Sequence, residues 1–156
     1  MLSDVVIYSD GGADPNPGIG GWAAVLSFGD HEKVLTGNDP KTTNNRMELQ
    51  AAIGALSALH WPCAIEFHTD SQYVRRGITE GVKKWAAADW KTKNGRQIPN
   101  ADLWQELQAL VSQHEIKWYW VQGHSGDASN ERVDKLAREA RLRITPKVDL
   151  EANVPR

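Results

Sequence analysis

Residues 4–38, DVVIYSDGGADPNPGIGGWAAVLSFGDHEKVLTGN, decide how this chain folds. Residues 4–10 are rich in β-branched and aromatic side chains and run into Gly11-Gly12, which predicts a strand closed by a turn, with turn chemistry continuing to Gly18. Residues 20–28 and 31–38 read as two more strands joined by a tight Gly29-Asp30 turn. Connections this short imply an antiparallel meander. From Thr43 the period turns helical: Met47, Ala51, Ala55 and Leu59 form a stripe with Ala52 and Leu56 beside it, and Thr43 is the expected N-cap. Residues 64–69 are a strand that stops at Asp70-Ser71, a capping pair for a helix opening at Gln72. The stretch 81–99 is less regular and basic, with Lys83, Lys84, Lys91, Lys93 and Arg96 around Trp85 and Trp90. Leu103, Leu107, Leu110 and Val111 mark a helix, residues 115–121 a strand, Gly123 to Asp127 a polar loop, and Val133, Leu136, Ala137 and Ala140 a last helix.

The order β-β-β-α-β-α-(basic segment)-α-β-α predicts an α/β fold: a five-stranded mixed sheet, three antiparallel meander strands then parallel strands, with helices on both faces. Residues 1–142 form one domain, and residues 143–156, with two prolines and no period, form a flexible tail.

A chain of 156 residues, 40% hydrophobic and 24% charged, is sized and composed to bury one core. No apolar run approaches the ~20 residues of a membrane span, and the first residues do not read as a signal peptide. Cys63 stands alone, without disulfide partner or metal-ligand spacing, and reads as a small buried hydrophobe. These features together predict a cytoplasmic protein. A net charge of −2 excludes a generally basic nucleic-acid binder. Any contact with nucleic acid must use local positive charge, or a bound metal.

Two predicted strands end in aspartate: Tyr8-Ser9-Asp10-Gly11 and His68-Thr69-Asp70-Ser71. Carboxyl ends of neighbouring strands are where α/β sheets bind ligands. Glu48 lies at the margin of the first helical stripe, and Asp134 follows Val133 on the last helix. Singly, each acid is explained as a turn residue, a cap, a dipole-favoured charge or a surface charge. As a set, carboxylates without cysteines or paired histidines suit Mg²⁺ or Mn²⁺. Two such ions ~4 Å apart can clamp the attacking and leaving oxygens of a phosphodiester.

Several blocks carry a resemblance: Ser9-Asp10-Gly11-Gly12 with Asn16-Pro17-Gly18, Thr42 to Leu49, Thr69 to Val74, Trp90-Lys91-Thr92, Val121 to Gly126 and Asn130 to Ala137. In order and spacing, from about residue 4 to residue 142, the chain resembles bacterial type I ribonuclease H. The resemblance implies an endonuclease that cuts the RNA strand of RNA–DNA hybrids, leaving 5′-phosphate and 3′-hydroxyl ends. It implies that Asp10, Glu48, Asp70 and Asp134 hold the metal and that His124, on a glycine-flanked loop, assists proton transfer or product release. It further implies that Asn16, Asn44, Asn45 and Gln72 line the hybrid's minor groove, that Lys41, Thr43 and Asn100 receive a DNA phosphate, and that Trp85 contacts substrate from the basic handle. The handle departs from the family pattern: Gly81 stands where an aromatic residue is frequent, and Ala86-Ala87-Ala88 replaces part of a basic run. The expectation is a monomer that binds hybrids more weakly than handle-rich relatives.

Two other readings fit less well. An idle hybrid-binding module has no use for clustered negative charge beside phosphates. A DNA-processing integrase or junction resolvase shares the acids but not the amide-rich segments or the handle.

Overall fold

In the protein's structure, a computed structural model that describes residues 2–122 and 127–144, the meander is present and longer than its hydrophobic alternation implies. Strand β1 (Ser3–Ala13) pairs antiparallel with β2 (Gly18–Phe28), which pairs antiparallel with β3 (His31–Thr42). Gly11-Gly12, expected as a turn, is strand: Gly11 pairs with Trp22 and Gly12 with Gly21, and the reversal falls at residues 14–17. The glycine is needed because a helix crosses there; a Cβ on Gly11 would run into the Met47 carbonyl.

That helix, α1 (Asn44–Ser57), opens as predicted. Thr43 is extended and its hydroxyl accepts the Arg46 N–H at 3.2 Å, satisfying one of the donors a helix start leaves free. Leu59, read as part of the stripe, lies past the helix end. The chain then enters β4 (Cys63–Thr69), parallel to β1, and later β5 (Glu115–Trp120), parallel to β4. The sheet order is β3-β2-β1-β4-β5.

Between β4 and β5 the stretch 81–99 is irregular from residue 88 onward, as expected, but its opening is helical. Helix α2 (Gln72–Arg76) passes through a π-helical turn (Gly77–Gly81) into α3 (Val82–Ala87), and α4 (Ala101–Val111) follows. The reason is packing: Val74, Ile78, Val82 and Trp85 recur at helical spacing and face the core, a stripe that the flanking lysines obscure in the sequence. Gly81 seats the Trp85 ring, which a Cβ there would meet at 2.5 Å.

The last helix is α5 (Ala128–Leu142), capped by Asp127, whose carboxylate accepts the N–H groups of Ser129 and Asn130. Helices cover both faces of the sheet, as expected. On one face Val5, Ile7, Ala24, Leu26, Ile65 and Phe67 pack with Leu49, Ala52 and Leu56 of α1 and Trp104 and Leu107 of α4. On the other, β2 meets α5: a Cβ on Gly21 would lie 2.5 Å from the Ala137 carbonyl, and alternation puts Ala23 and Val25 on the same side. Cys63 is buried and unpaired. Among the described residues no helix is long and apolar enough to cross a membrane.

Candidate active site

Tyr8 and His68 are partners across the parallel β1–β4 pair, so Asp10 and Asp70, each two residues further on, emerge side by side at the same end of the sheet. Glu48 reaches them from the first turns of α1, which the bare Gly11 backbone admits. Carboxylate oxygens of Asp10, Glu48 and Asp70 lie within 4.8 Å of one another. Asp134 arrives on α5, close enough to hydrogen-bond the Asp10 carboxyl, with the Arg138 guanidinium 3.5 Å from its carboxylate. The structure therefore brings all four predicted acids to one cleft of about 500 Å³.

Asp70 was expected to double as a helix cap. Instead Ser71 takes that role: its hydroxyl accepts the Val74 N–H at 3.1 Å. Either residue type can cap, and the division leaves the Asp70 carboxylate free for the cleft.

Crowding and burial move the protons. The Asp10 carboxyl is pushed up to about 8, first by burial, then by the charges of Asp70 and Asp134, against a smaller opposing contribution from the Gly11 N–H. Burial, then the charges of Asp10 and Asp70, hold Glu48 well above the ordinary carboxylate range. Among the described residues Glu48 Oε1 is buried and has no hydrogen-bond partner. A buried carboxylate oxygen left bare beside two further carboxylates is poorly satisfied by protein alone; a hard divalent cation supplies the missing charge and coordination. The residues present thus fit a metal of that class.

The amides arrange themselves asymmetrically. Asn44 Oδ1 accepts the Ala13 N–H at 2.7 Å, and Asn16 Oδ1 accepts the Asn44 N–H at 3.1 Å. Because both partners are N–H donors, the oxygens must face inward, which leaves the amide nitrogens as the groups on offer. Asn44, Asn45 and Gln72 line the cleft. Asn100, in left-handed backbone (φ 60°), donates to the Tyr73 hydroxyl at 2.9 Å and accepts from Arg46 at 3.1 Å. Arg46 forks onto Asp102 at 2.9 and 3.1 Å and so ties α1 to α4 beside Thr43; its importance had no local signal, since its partner is 56 residues away. Lys41 is exposed on β3, its N–H bonded to Asp39.

Trp85 does not line the cleft. It is half-buried, its ring 5.4 Å from Trp104 and 6.4 Å from Trp90. His124 lies outside the described residues, as does the predicted tail from residue 145. Sequence reasoning also passed over Arg138 and Arg141. The i,i+4 spacing of Asp134 and Arg138 was available as a signal; nothing local marked Arg141.

A mixed sheet in the order β3-β2-β1-β4-β5, carrying carboxylates late in β1, just past β4 and on the helices packed against them, defines a ribonuclease H-like nuclease. The family profile described as RNase H matches residues 3–141. The chain is 53% identical over 135 residues to ribonuclease H of Rhodopseudomonas palustris strain TIE-1, covering 86% of this chain and 87% of the relative. It is 49% identical over 148 residues to ribonuclease HI of Caulobacter vibrioides, covering 95% and 99%. The crystal structure of LC9-RNase H1, a type 1 RNase H with the type 2 active-site motif, superposes with a TM-score of 0.82 at 30% identity, covering 99% of this chain and 82% of that one. The chain belongs to the RNase H family, endoribonucleases that use divalent metals and whose function is cleavage of the RNA strand of RNA–DNA hybrids.

Proposed function

We propose that this chain cleaves the RNA strand of RNA–DNA hybrids with Mg²⁺, or Mn²⁺ in its place, leaving 5′-phosphate and 3′-hydroxyl ends. The observation that carries the reading is the convergence of Asp10, Glu48 and Asp70 within 4.8 Å, with Glu48 Oε1 bare. Asp10, Glu48, Asp70 and Asp134 are the ligand set. Bound there, divalent cations supply positive charge for a phosphodiester at in-line displacement and for the carboxylates that surround it.

The chain's own groups do the remaining work. The Gly11 N–H and the Ser71 hydroxyl favour the charged form of Glu48, which prepares it to act as a ligand. Asp10, ordinarily protonated up to about pH 8 when no cation is present, releases that proton on binding. His124, by resemblance, moves a proton at the leaving oxygen. The amide nitrogens of Asn16 and Asn44, with Asn45 and Gln72, read sugar hydroxyls and base edges across the minor groove, which selects RNA on the cleaved strand. Lys41, Thr43 and Asn100 hold a phosphate of the DNA strand, with Arg46 orienting the Asn100 amide, and Trp85 supports the lysines of the handle rather than the cleft. The protein acts as a monomer in the cytoplasm.

The test is cleavage of matched RNA–DNA, RNA–RNA and DNA–DNA duplexes with Mg²⁺, Mn²⁺ or EDTA. Cleavage confined to the hybrid and abolished by EDTA is expected; cleavage of the DNA duplex, or none of the hybrid, overturns the reading.

A further inference from the structure

The cleft has two unlike walls. Asn44, Asn45 and Gln72 form one; the other, on α5, presents Arg138 and Arg141. Arg141 reaches the cleft because β2 lets α5 come unusually close: a Cβ on Gly21 would lie 2.5 Å from the Arg141 nitrogen and 2.9 Å from its Cα. The side chain is largely buried, 18% exposed, along a cleft whose floor is acidic. Its guanidinium is 3.2 Å from Asp14, which is 78% exposed on the reversal after β1. Arg138 is engaged differently, against Asp134 one helical turn away.

A pair with so exposed an acid contributes little to stability. The contact does orient the guanidinium over the cleft, and a phosphate could replace Asp14 with a stronger, forked hydrogen bond. We propose that Arg141 binds the RNA strand, taking a phosphate oxygen that neighbours the scissile phosphodiester from the α5 side while the amides hold the sugars from the other. This rests on the ribonuclease reading above. Asp14 is the stand-in partner that holds Arg141 in position until the strand arrives.

The test is binding of an RNA–DNA hybrid to the cleavage-deficient Asp10→Asn protein, with and without Arg141→Ala, Arg141→Gln and Asp14→Asn, across a salt series. Arg141→Ala and Arg141→Gln should each weaken binding roughly tenfold and lower the slope of log affinity against log salt by about one. Asp14→Asn should leave binding undiminished or tighten it. Hybrids carrying one neutral methylphosphonate at successive RNA positions give a readout independent of folding: at one position next to the cleavage site, neutralisation should weaken the parent protein and erase the Arg141→Ala defect. An unchanged slope, a defect that persists at every methylphosphonate position, or an Asp14→Asn defect equal to that of Arg141→Ala overturns the proposal, the last because it marks the pair as a purely structural tether. Failure of the ribonuclease reading is separately visible, as wild-type protein that leaves the hybrid uncut.

Discussion

Replacing Asp10 with Asn should abolish cleavage and, in EDTA, make the protein more stable. The Asp10 carboxyl is raised from about 3.8 to about 8 by burial and by Asp70 and Asp134. Its folded-state value exceeds its unfolded one, so the folded protein binds the proton more tightly. The associated stability is full below about pH 3.8 and is lost as pH rises towards 8. Within that window each pH unit removes up to ~1.4 kcal/mol, so the wild type forfeits roughly 3 kcal/mol between pH 5 and pH 7 from this group. For a chain of 156 residues, that corresponds to ~6–12 °C in melting temperature. Asparagine keeps the shape and cannot ionise. Glu48 retains its own raised value but loses the charge of Asp10 beside it. Thermal melts of both proteins in EDTA at pH 5, 6, 7 and 8 should therefore show a flatter profile for the variant and a higher melting point at pH 8. Excess Mg²⁺ should raise the wild type more than the variant. Equal slopes in EDTA, or a variant less stable at pH 8, would refute the reasoning.

Three further outcomes follow from the same structure. His114 accepts the Cys63 N–H through Nδ1 at 3.0 Å, and burial pulls its pKa down; the stability it lends is present above the unfolded value near 6.5 and lost as pH falls from there through the lower folded-state value. His114→Gln should flatten the acid limb of a denaturation series while lowering stability at pH 7.5 by ~1–3 kcal/mol if the Cys63 N–H loses its acceptor. Asn44→Asp keeps an oxygen for the Ala13 N–H but removes the outward amine, so hybrid affinity should drop with the melting point almost unchanged, measured by anisotropy beside calorimetry. Lys83 and Lys84 are exposed on α3; replacing both with Ala should reduce the salt slope of hybrid binding by up to roughly two without altering cleavage at saturating substrate.

Much of this was legible in the sequence because period-two alternation and a helical stripe report burial directly. The five strands, Thr43 as a cap and the position of Asp70 just past β4 came from such local signals, whereas Asp10, read as a strand end, lies inside β1, three residues before its last. Local reasoning misplaced what distant chain determines. Gly11-Gly12 carries turn chemistry and is strand because α1 passes over it. The stretch around Trp85 looked irregular because lysines interrupt a stripe that only the burial of Trp104 reveals. No local pattern indicated that Glu48 Oε1 would be buried and bare, or that Arg141 would lie against the cleft, since both depend on how closely helix and strand approach.

Ser71 carries a consequence for anyone rebuilding such a centre. Two neighbouring residues share a single bend of the chain, one serving the helix and one facing the acidic cleft, where it is poised to take a cation. Fused into one aspartate, those duties would compete, and every improvement in helix initiation would draw oxygen away from the cation. Kept apart, they let the helix start be capped without drawing on the Asp70 carboxylate, and the same Ser71 hydroxyl also steadies Glu48, so a designer grafting this centre onto another sheet should transplant Asp70 and Ser71 as a unit.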